Sequence, residues 1–206
     1  MLSNVELQKE LEAIDPDRRL VVMPLLDRGQ IGSASIDLRL GTEFIEVERL
    51  ANEMIDPFAE DVPKVGTDRS TVIGLGESLI LHPGQFVLGC SLEFIRLPSH
   101  LAGQVLGRSS WGRLGLVVAT AVTVQPGFAG VLTLELENLG TVPIKLYPGL
   151  RIAQLSVWRL GEPTSKPYFK KDAKYTAPIG PQSSRLGWEA SEVARLRRVG
   201  ARLAGQ

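Results

Sequence analysis

From Ser35 to Leu160 the chain runs through a succession of short β-rich segments: SIDLRL, EFIEVE, ESLILHPGQFVLGC, LEFIRLP, GLVVATAVTV, GVLTLELEN, PIKLYPG and RIAQLSVWRL. Turns bearing Gly and Pro separate them. So many short strands leave no room for a helical core. They satisfy their edges best in a closed or nearly closed β-structure, so the expected class is mainly β, a barrel-like core with short flanking helices.

A chain of 206 residues with 44% apolar content can fill such a core without cross-links. Its single cysteine, Cys90, excludes an internal disulfide framework and suits a reducing compartment. The opening MLSNVELQKELEA has acids within its first dozen residues and no long apolar run. Neither a signal peptide nor a membrane span is expected from it, and the cytoplasm is the expected location. Basic and acidic residues balance at 23 each. That balance argues against a nucleic-acid partner, which wants a net basic surface, so any anion site must be local.

Helices are expected at both ends. Ser3 and Glu6 have capping-box spacing, and Leu7, Leu11 and Ile14 recur at helical intervals, which predicts a short amphipathic helix over residues 4–14. Residues 161–187 are rich in Pro, Lys, Ser and Gly and read as an extended arm or lid. Residues 188–206 place Val193, Leu196, Val199 and Leu203 at spacings of three and four, predicting a basic helix appended to a domain of residues 1–187.

Two stretches carry candidate chemistry. GRSSWGRLG, residues 107–115, sets Arg108, Ser109, Ser110 and Arg113 among three glycines. Guanidinium and hydroxyl groups are what an anionic oxygen needs around it, and glycines permit close approach of the backbone. GVLTLELEN, residues 130–138, has period two, with Leu132, Leu134 and Leu136 on one face and Val131, Thr133, Glu135 and Glu137 on the other. Taken alone, Glu135 reads as a solvent-facing strand residue and GRSSWGRLG as a polar turn.

Together with ATAV, QPGFAG, SIDLRLG, LHPGQFVLG, PIKLYPGLRIAQL and the tail PYFKKDAKYTAPIGPQSSR, these stretches resemble the dCTP deaminase branch of the trimeric dUTPase-like superfamily. The resemblance spans about residues 2–185. It implies a dUTPase-like β-clip core and a homotrimer that deaminates dCTP to dUTP and ammonia. It also implies roles for individual residues. Glu135 is the catalytic carboxylate, the Ala121 carbonyl helps hold the water, and Ser109 and Arg113 orient the glutamate and the water or amine. Arg108, Ser109, Ser110 and Arg113 receive the triphosphate, Gln125 lies at the sugar, and Tyr168, Lys171 and Lys174 close over the nucleotide. The expected metal is Mg²⁺ carried by the triphosphate.

Zinc is not expected, because the H-x-E and P-C-x-x-C contexts of zinc deaminases are missing and His82, His100 and Cys90 sit in separate apolar or loop contexts. The segment between Leu116 and Thr120 is one residue shorter than the family's usual run and lacks, in VVA, the histidine common there, and three positions also depart from the family pattern. Gln125 stands where aspartate is usual, Val122 where relatives carry Gly or His, and Pro178 where the tail often has glutamine. An amide at 125 has no useful basicity, which disfavours diphosphatase chemistry. The alternatives are a catalytically weak nucleotide-binding or regulatory relative, and a dUTP diphosphatase or bifunctional enzyme.

Overall fold

The computed structural model describes residues 1–46, 69–120, 123–168, 175, 177–185 and 190–204. Its strands are β1 (Val21–Met23), β2 (Ile36–Arg39), β3 (Glu43–Glu46), β4 (Arg69–Val72), β5 (Leu79–Leu81), β6 (Phe86–Arg96) and β7 (Leu101–Gly107). They continue with β8 (Leu116–Val118), β9 (Thr123–Val124), β10 (Ala129–Asn138), β11 (Ile144–Leu146) and β12 (Arg151–Arg159). The helices are α1 (Asn4–Leu11), α2 (Ser109–Gly112) and α3 (Ala190–Ala204). The protein is mainly β with short helices, as the alternation of strands and turns predicts.

Among the described residues all strand pairs are antiparallel and fall into three sheets. The largest runs β4-β3-β6-β10-β8, with β1 also on β6; the second runs β2-β12-β7-β9; and β5 pairs β11. Leu132, Leu134 and Leu136 of β10 turn inward beside Val87 and Ile95 of β6 and meet Ile36, Leu38, Leu155 and Val157 in one buried cluster. Their removal from water supplies the main folding drive, roughly 1.5–3 kcal/mol for each large side chain.

Two expectations on the strands need correction. FVLGC and LEFIRLP form one eleven-residue strand, β6, rather than two runs. Gly89 is no break: a Cβ there would lie 3.3 Å from side-chain atoms of Leu136, Leu40 and Phe44, so the glycine lets neighbouring side chains close over the strand. GLVVATAVTV, in contrast, divides into β8 and β9, with residues 121–122 outside the described residues.

Helix α1 carries the expected capping box. The Glu6 amide donates to Ser3 Oγ at 3.4 Å and the Ser3 amide to Glu6 Oε2 at 2.9 Å. The helix stops at Leu11 rather than reaching residue 14, and Ile14 is 96% exposed. Pro16 disfavours helical geometry at Asp15, whose carboxylate instead accepts the Asp17 amide at 2.9 Å. Buried Glu10 anchors the helix by pairing with Arg159 at 2.6 Å and His100 at 3.0 Å.

Two further polar nodes stitch the sheets together. Asn138 is fully buried; its Nδ2 donates to the carbonyls of Leu81 and Val142, each at 2.9 Å, and its Oδ1 accepts the Gly140 amide at 2.9 Å. Glu93, also fully buried, accepts from the Arg39 amide and from Gln30 Nε2, both at 2.9 Å, which ties β2 to β6. Burial pushes the Glu93 carboxyl pKa up despite these donors. Helix α3 forms close to the predicted residues, and Leu196, Val199 and Leu203 are exposed along it. No helix among the described residues is long and apolar enough to cross a membrane.

Candidate active site

The GRSSWGRLG stretch forms the connection from β7 to β8. Arg108 is extended (φ −76°, ψ 131°) and starts α2, while Arg113 ends it with its amide donating 3.0 Å to the Ser109 carbonyl. Gly115 then reverses the chain with φ +93°, where a Cβ would come within 2.7 Å of the Gly140 backbone. Neither serine is at the cap position. Ser109, Ser110 and Arg113 are exposed, and their side chains have no hydrogen bond or ion pair among the described residues.

The loop is fastened to the start of β12. The Arg108 amide donates to the Ile152 carbonyl at 3.2 Å. The Arg151 carbonyl accepts both Trp111 Nε1 at 2.9 Å and Arg108 Nη1 at 3.4 Å. A register shift between Arg151 and Ala153 against β2 marks this point, and such irregularities re-aim backbone groups. An open cleft of about 520 Å³ lies here, lined by Arg39, Arg108, Arg151, Ser110 and Trp111 among others.

The arginines of the cleft alternate with acids. Arg39 pairs with Asp27 at 2.6 Å, Asp27 with Arg151 at 2.8 Å, Arg151 with Asp37 at 3.3 Å and Asp37 with Arg108 at 3.5 Å. Desolvation raises the Asp27 pKa, but the bonds from Arg151 and the charges of Arg151 and Arg39 outweigh it and hold the carboxyl below the usual aspartate range. Three guanidinium groups against two carboxylates leave the cleft cationic.

Glu135 stands on β10 opposite Leu88 of β6, half-buried on the face expected from the alternation. Its backbone is clamped by the edge of β8: the Ala119 amide donates to its carbonyl at 2.8 Å, and its own amide donates to Thr120 Oγ1 at 2.8 Å. The same hydroxyl donates to the Thr133 carbonyl at 3.4 Å. Thr120 thus fixes the two backbones immediately before residue 121. The Glu135 carboxylate makes no hydrogen bond or ion pair among the described residues.

Gln125 is exposed at a tight turn closed by the Phe128 amide on its carbonyl at 3.0 Å. Tyr168 comes to this turn. Its amide donates to the Pro126 carbonyl at 2.8 Å and its ring lies 6.0 Å from that of Phe128. The arm then builds on its own tyrosines: the Tyr175 amide donates to Tyr168 Oη and the Arg185 amide to Tyr175 Oη, each at 3.2 Å. Farther along, Pro178 and Gln182 settle on β10, the Pro178 carbonyl accepting the Val131 amide at 2.8 Å and the Gln182 amide donating to Thr133 Oγ1 at 3.1 Å. Ala121, Val122, Lys171 and Lys174 lie outside the described residues.

Within one protomer, then, Arg108, Ser109, Ser110 and Arg113 share one short loop, and Gln125 and Tyr168 share another turn. Among the described residues no hydrogen bond or ion pair joins Glu135 to Ser109 or Arg113, and Glu135 does not line the arginine cleft. The sequence reading missed Thr120, Asp37 and Arg151. Thr120 was visible within the quoted ATAV run as its neighbour, but nothing local marks the long-range bonds of Asp37 and Arg151.

Comparison with known proteins places the chain in a family. A family model described as dCTP deaminase-like matches residues 1–160. The chain is 44% identical over 191 residues to a dUMP-forming dCTP deaminase of Dictyoglomus turgidum, covering 90% of this chain and 94% of that protein. It is 45% identical over 189 residues to a dCTP deaminase of Haloarcula marismortui, with the same coverage. Among solved structures, the 2'-deoxycytidine 5'-triphosphate deaminase of Agrobacterium tumefaciens superposes with a TM-score of 0.58 at 26% identity. That match takes in 78% of this chain but only 47% of the other. With three quarters of its length matched by one family model and relatives above 40% identity along most of the rest, the chain belongs to the dCTP deaminase-like family.

Proposed function

We propose that the protein deaminates dCTP to dUTP and ammonia. The observation that carries this reading is Glu135 itself. Its backbone is clamped by Thr120 and Ala119, while its carboxylate makes no hydrogen bond or ion pair among the described residues on a half-buried strand face. A fixed, unpaired carboxylate can take a proton from water as that water attacks C4 and return it to the amine as the C4–N bond breaks. In this reading the Ala121 carbonyl holds the water, and Ser109 and Arg113 orient the carboxylate and the leaving amine. Arg108, Ser109 and Ser110 hold the triphosphate, with Tyr168, Lys171 and Lys174 closing over it.

Because no hydrogen bond or ion pair joins Glu135 to the Ser109–Arg113 loop among the described residues of one chain, we place the complete site between subunits of a homotrimer. A threefold ring would bring one protomer's loop to its neighbour's β10 and cover polar strand faces that a monomer leaves wet. Sedimentation showing an active monomer at micromolar concentration would overturn this arrangement.

Near the loop the donor set is guanidinium and hydroxyl, and Asp27 and Asp37 are already engaged by arginines. Such a set suits phosphate oxygens better than a resident divalent ion. Mg²⁺ therefore enters bound to the triphosphate, where it spreads the phosphate charge. A reducing cytoplasm fits the single buried cysteine.

A second reading has its own support: the Dictyoglomus relative at 44% identity is dUMP-forming. Forming dUMP needs a water activated towards phosphorus, for which the Gln125 amide has no basicity. Incubation with dCTP and Mg²⁺, followed by separation of products, decides between the two. Ammonia with dUTP supports deamination alone, ammonia with dUMP and pyrophosphate supports the bifunctional reading, and no turnover with nucleotide still bound supports a regulatory relative.

A further inference from the structure

We propose that Asp37 and Arg151 are positioning residues for the phosphate-binding loop, acting through Arg108. The inference rests on the dCTP reading only in supposing that Arg108 meets a polyphosphate. Three observations carry it.

The first is that Asp37 is a buried carboxylate, 7% exposed, whose oxygens are divided between jobs. Oδ1 accepts from Gln154 Nε2 at 2.9 Å, which fixes the carboxylate plane against β12. Oδ2 faces both Arg151 Nη1 at 3.3 Å and Arg108 Nη2 at 3.5 Å. Arg108, about one-third exposed, is thereby held at the cleft mouth by contacts longer than an ideal charge-assisted bond. It is oriented, with donors left over for an incoming oxygen.

The second is that Arg151 works at both ends. Its carbonyl holds Trp111 and Arg108, and its guanidinium spans Asp27, Asp37 and the Gly29 carbonyl, the last at 3.0 Å. A planar fork reaching three acceptors cannot be replaced by the single ammonium of lysine. The third is that α2 is only four residues long with Ser109, Ser110 and Arg113 exposed, and among the described residues the polar ties of the loop to the sheets run from Arg108 and Trp111 to Asp37 and the Arg151 and Ile152 carbonyls, with the Gly115 carbonyl accepting the Leu139 amide at its far end.

Simple charge and orientation predict opposite results when the acid is neutralised. Removing a negative charge beside a polyphosphate site would tighten binding, whereas releasing Arg108 from its fixed direction would weaken it. Loss of about one charge-assisted hydrogen bond corresponds to roughly tenfold in affinity.

The test compares the wild type with Asp37→Asn, Arg108→Gln and the double variant. Steady-state dCTP deamination is measured together with calorimetric binding of inorganic tripolyphosphate, a probe that has no base to deaminate. We expect Asp37→Asn to raise KM for dCTP and the tripolyphosphate Kd about tenfold, with kcat within twofold. In the Arg108→Gln background the same change should have little further effect, because Asp37 acts through that side chain. Should Asp37→Asn fail to fold, Arg151→Lys is expected to give the same rise in KM and Kd. Unchanged or tighter tripolyphosphate binding, or a full additive loss in the double variant, would overturn the proposal. Tripolyphosphate binding that responds as expected in a protein inert towards dCTP would instead sink the deaminase reading and leave this one standing.

Discussion

Pro178 of the arm occupies the space that a side chain on Gly130 would need. A Cβ built on Gly130 would lie within 2.8 Å of Pro178 Cγ and O and closer still to Cδ, and Gly130 has φ +151°, which other residues rarely adopt. The neighbouring amide, Val131, donates to the Pro178 carbonyl at 2.8 Å. Gly130, the last glycine of QPGFAG, is therefore what lets the arm lie against the start of β10, five residues before Glu135.

Gly130→Ala should accordingly lift the arm while leaving the barrel folded. The expected signature is faster proteolytic cleavage between residues 161 and 187 and a raised KM for dCTP, with little change in the melting of the core. Cleavage and KM both equal to wild type would mean that the arm does not need this contact.

Truncation after Leu160 removes the arm outright, including Tyr168 and the two lysines proposed to meet the phosphates. Charge-assisted bonds are worth roughly 1.5–3 kcal/mol each. The truncated protein should retain its β-rich circular dichroism yet bind dCTP at least about tenfold more weakly. Full affinity without the arm would show that it is no lid.

Asn138 offers a prediction on stability alone. Replacing it with Leu leaves two carbonyls and one amide without their buried partner, each at about 1–3 kcal/mol. The variant should lose on the order of 3 kcal/mol or more in denaturant unfolding. A loss under about 1 kcal/mol would mean that water takes over those bonds.

Cys90 should be silent to thiol reagents. Burial pushes its pKa from 9.0 up to about 11, and its thiol is directed at the Glu43 carbonyl, 3.9 Å away. The reactive thiolate is thus scarce in the native state at neutral pH. Because the folded value is the higher one, the associated stability is fully present below about 9 and is lost as pH rises through about 11. Iodoacetamide at pH 8 should label the protein only after unfolding; native labelling at the unfolded rate would contradict this burial.

The parts of this molecule legible in the sequence are those encoded within a few residues. Alternation in GVLTLELEN assigned the inward leucines and the outward Glu135, and Ser3 with Glu6 located the first helix. Where distant segments decide, local signals mislead. FVLGC and LEFIRLP read as two runs, because nothing local shows that Leu40, Phe44 and Leu136 close over Gly89 within one continuous β6. Ile14 has core spacing but is left outside when Pro16 turns the chain. Asp37 and Arg151 are 114 positions apart, so the tie between them, to which Arg108 also reaches, has no local pattern. Pro178, which looked only like a lost glutamine, gains a packing reason once Gly130 is seen beneath it.

The last prediction separates the chemistry of Glu135 from its place in the fold. Glu135→Gln keeps the shape and hydrogen-bonding reach of the side chain, and the backbone clamp from Thr120 and Ala119 does not involve the carboxylate. Folding and dCTP binding should therefore survive. An amide cannot accept the proton from water or return it to the amine, so ammonia release should fall by at least about a hundredfold. Gln125→Asp asks the complementary question. It restores an acid at the exposed turn beside Tyr168 and should leave deamination within a modest factor while introducing slow pyrophosphate release from dUTP. If Glu135→Gln released ammonia at the wild-type rate, the carboxylate would be only a half-buried strand residue, and the base would have to be sought elsewhere on that face of β10, with Glu137 the first to replace.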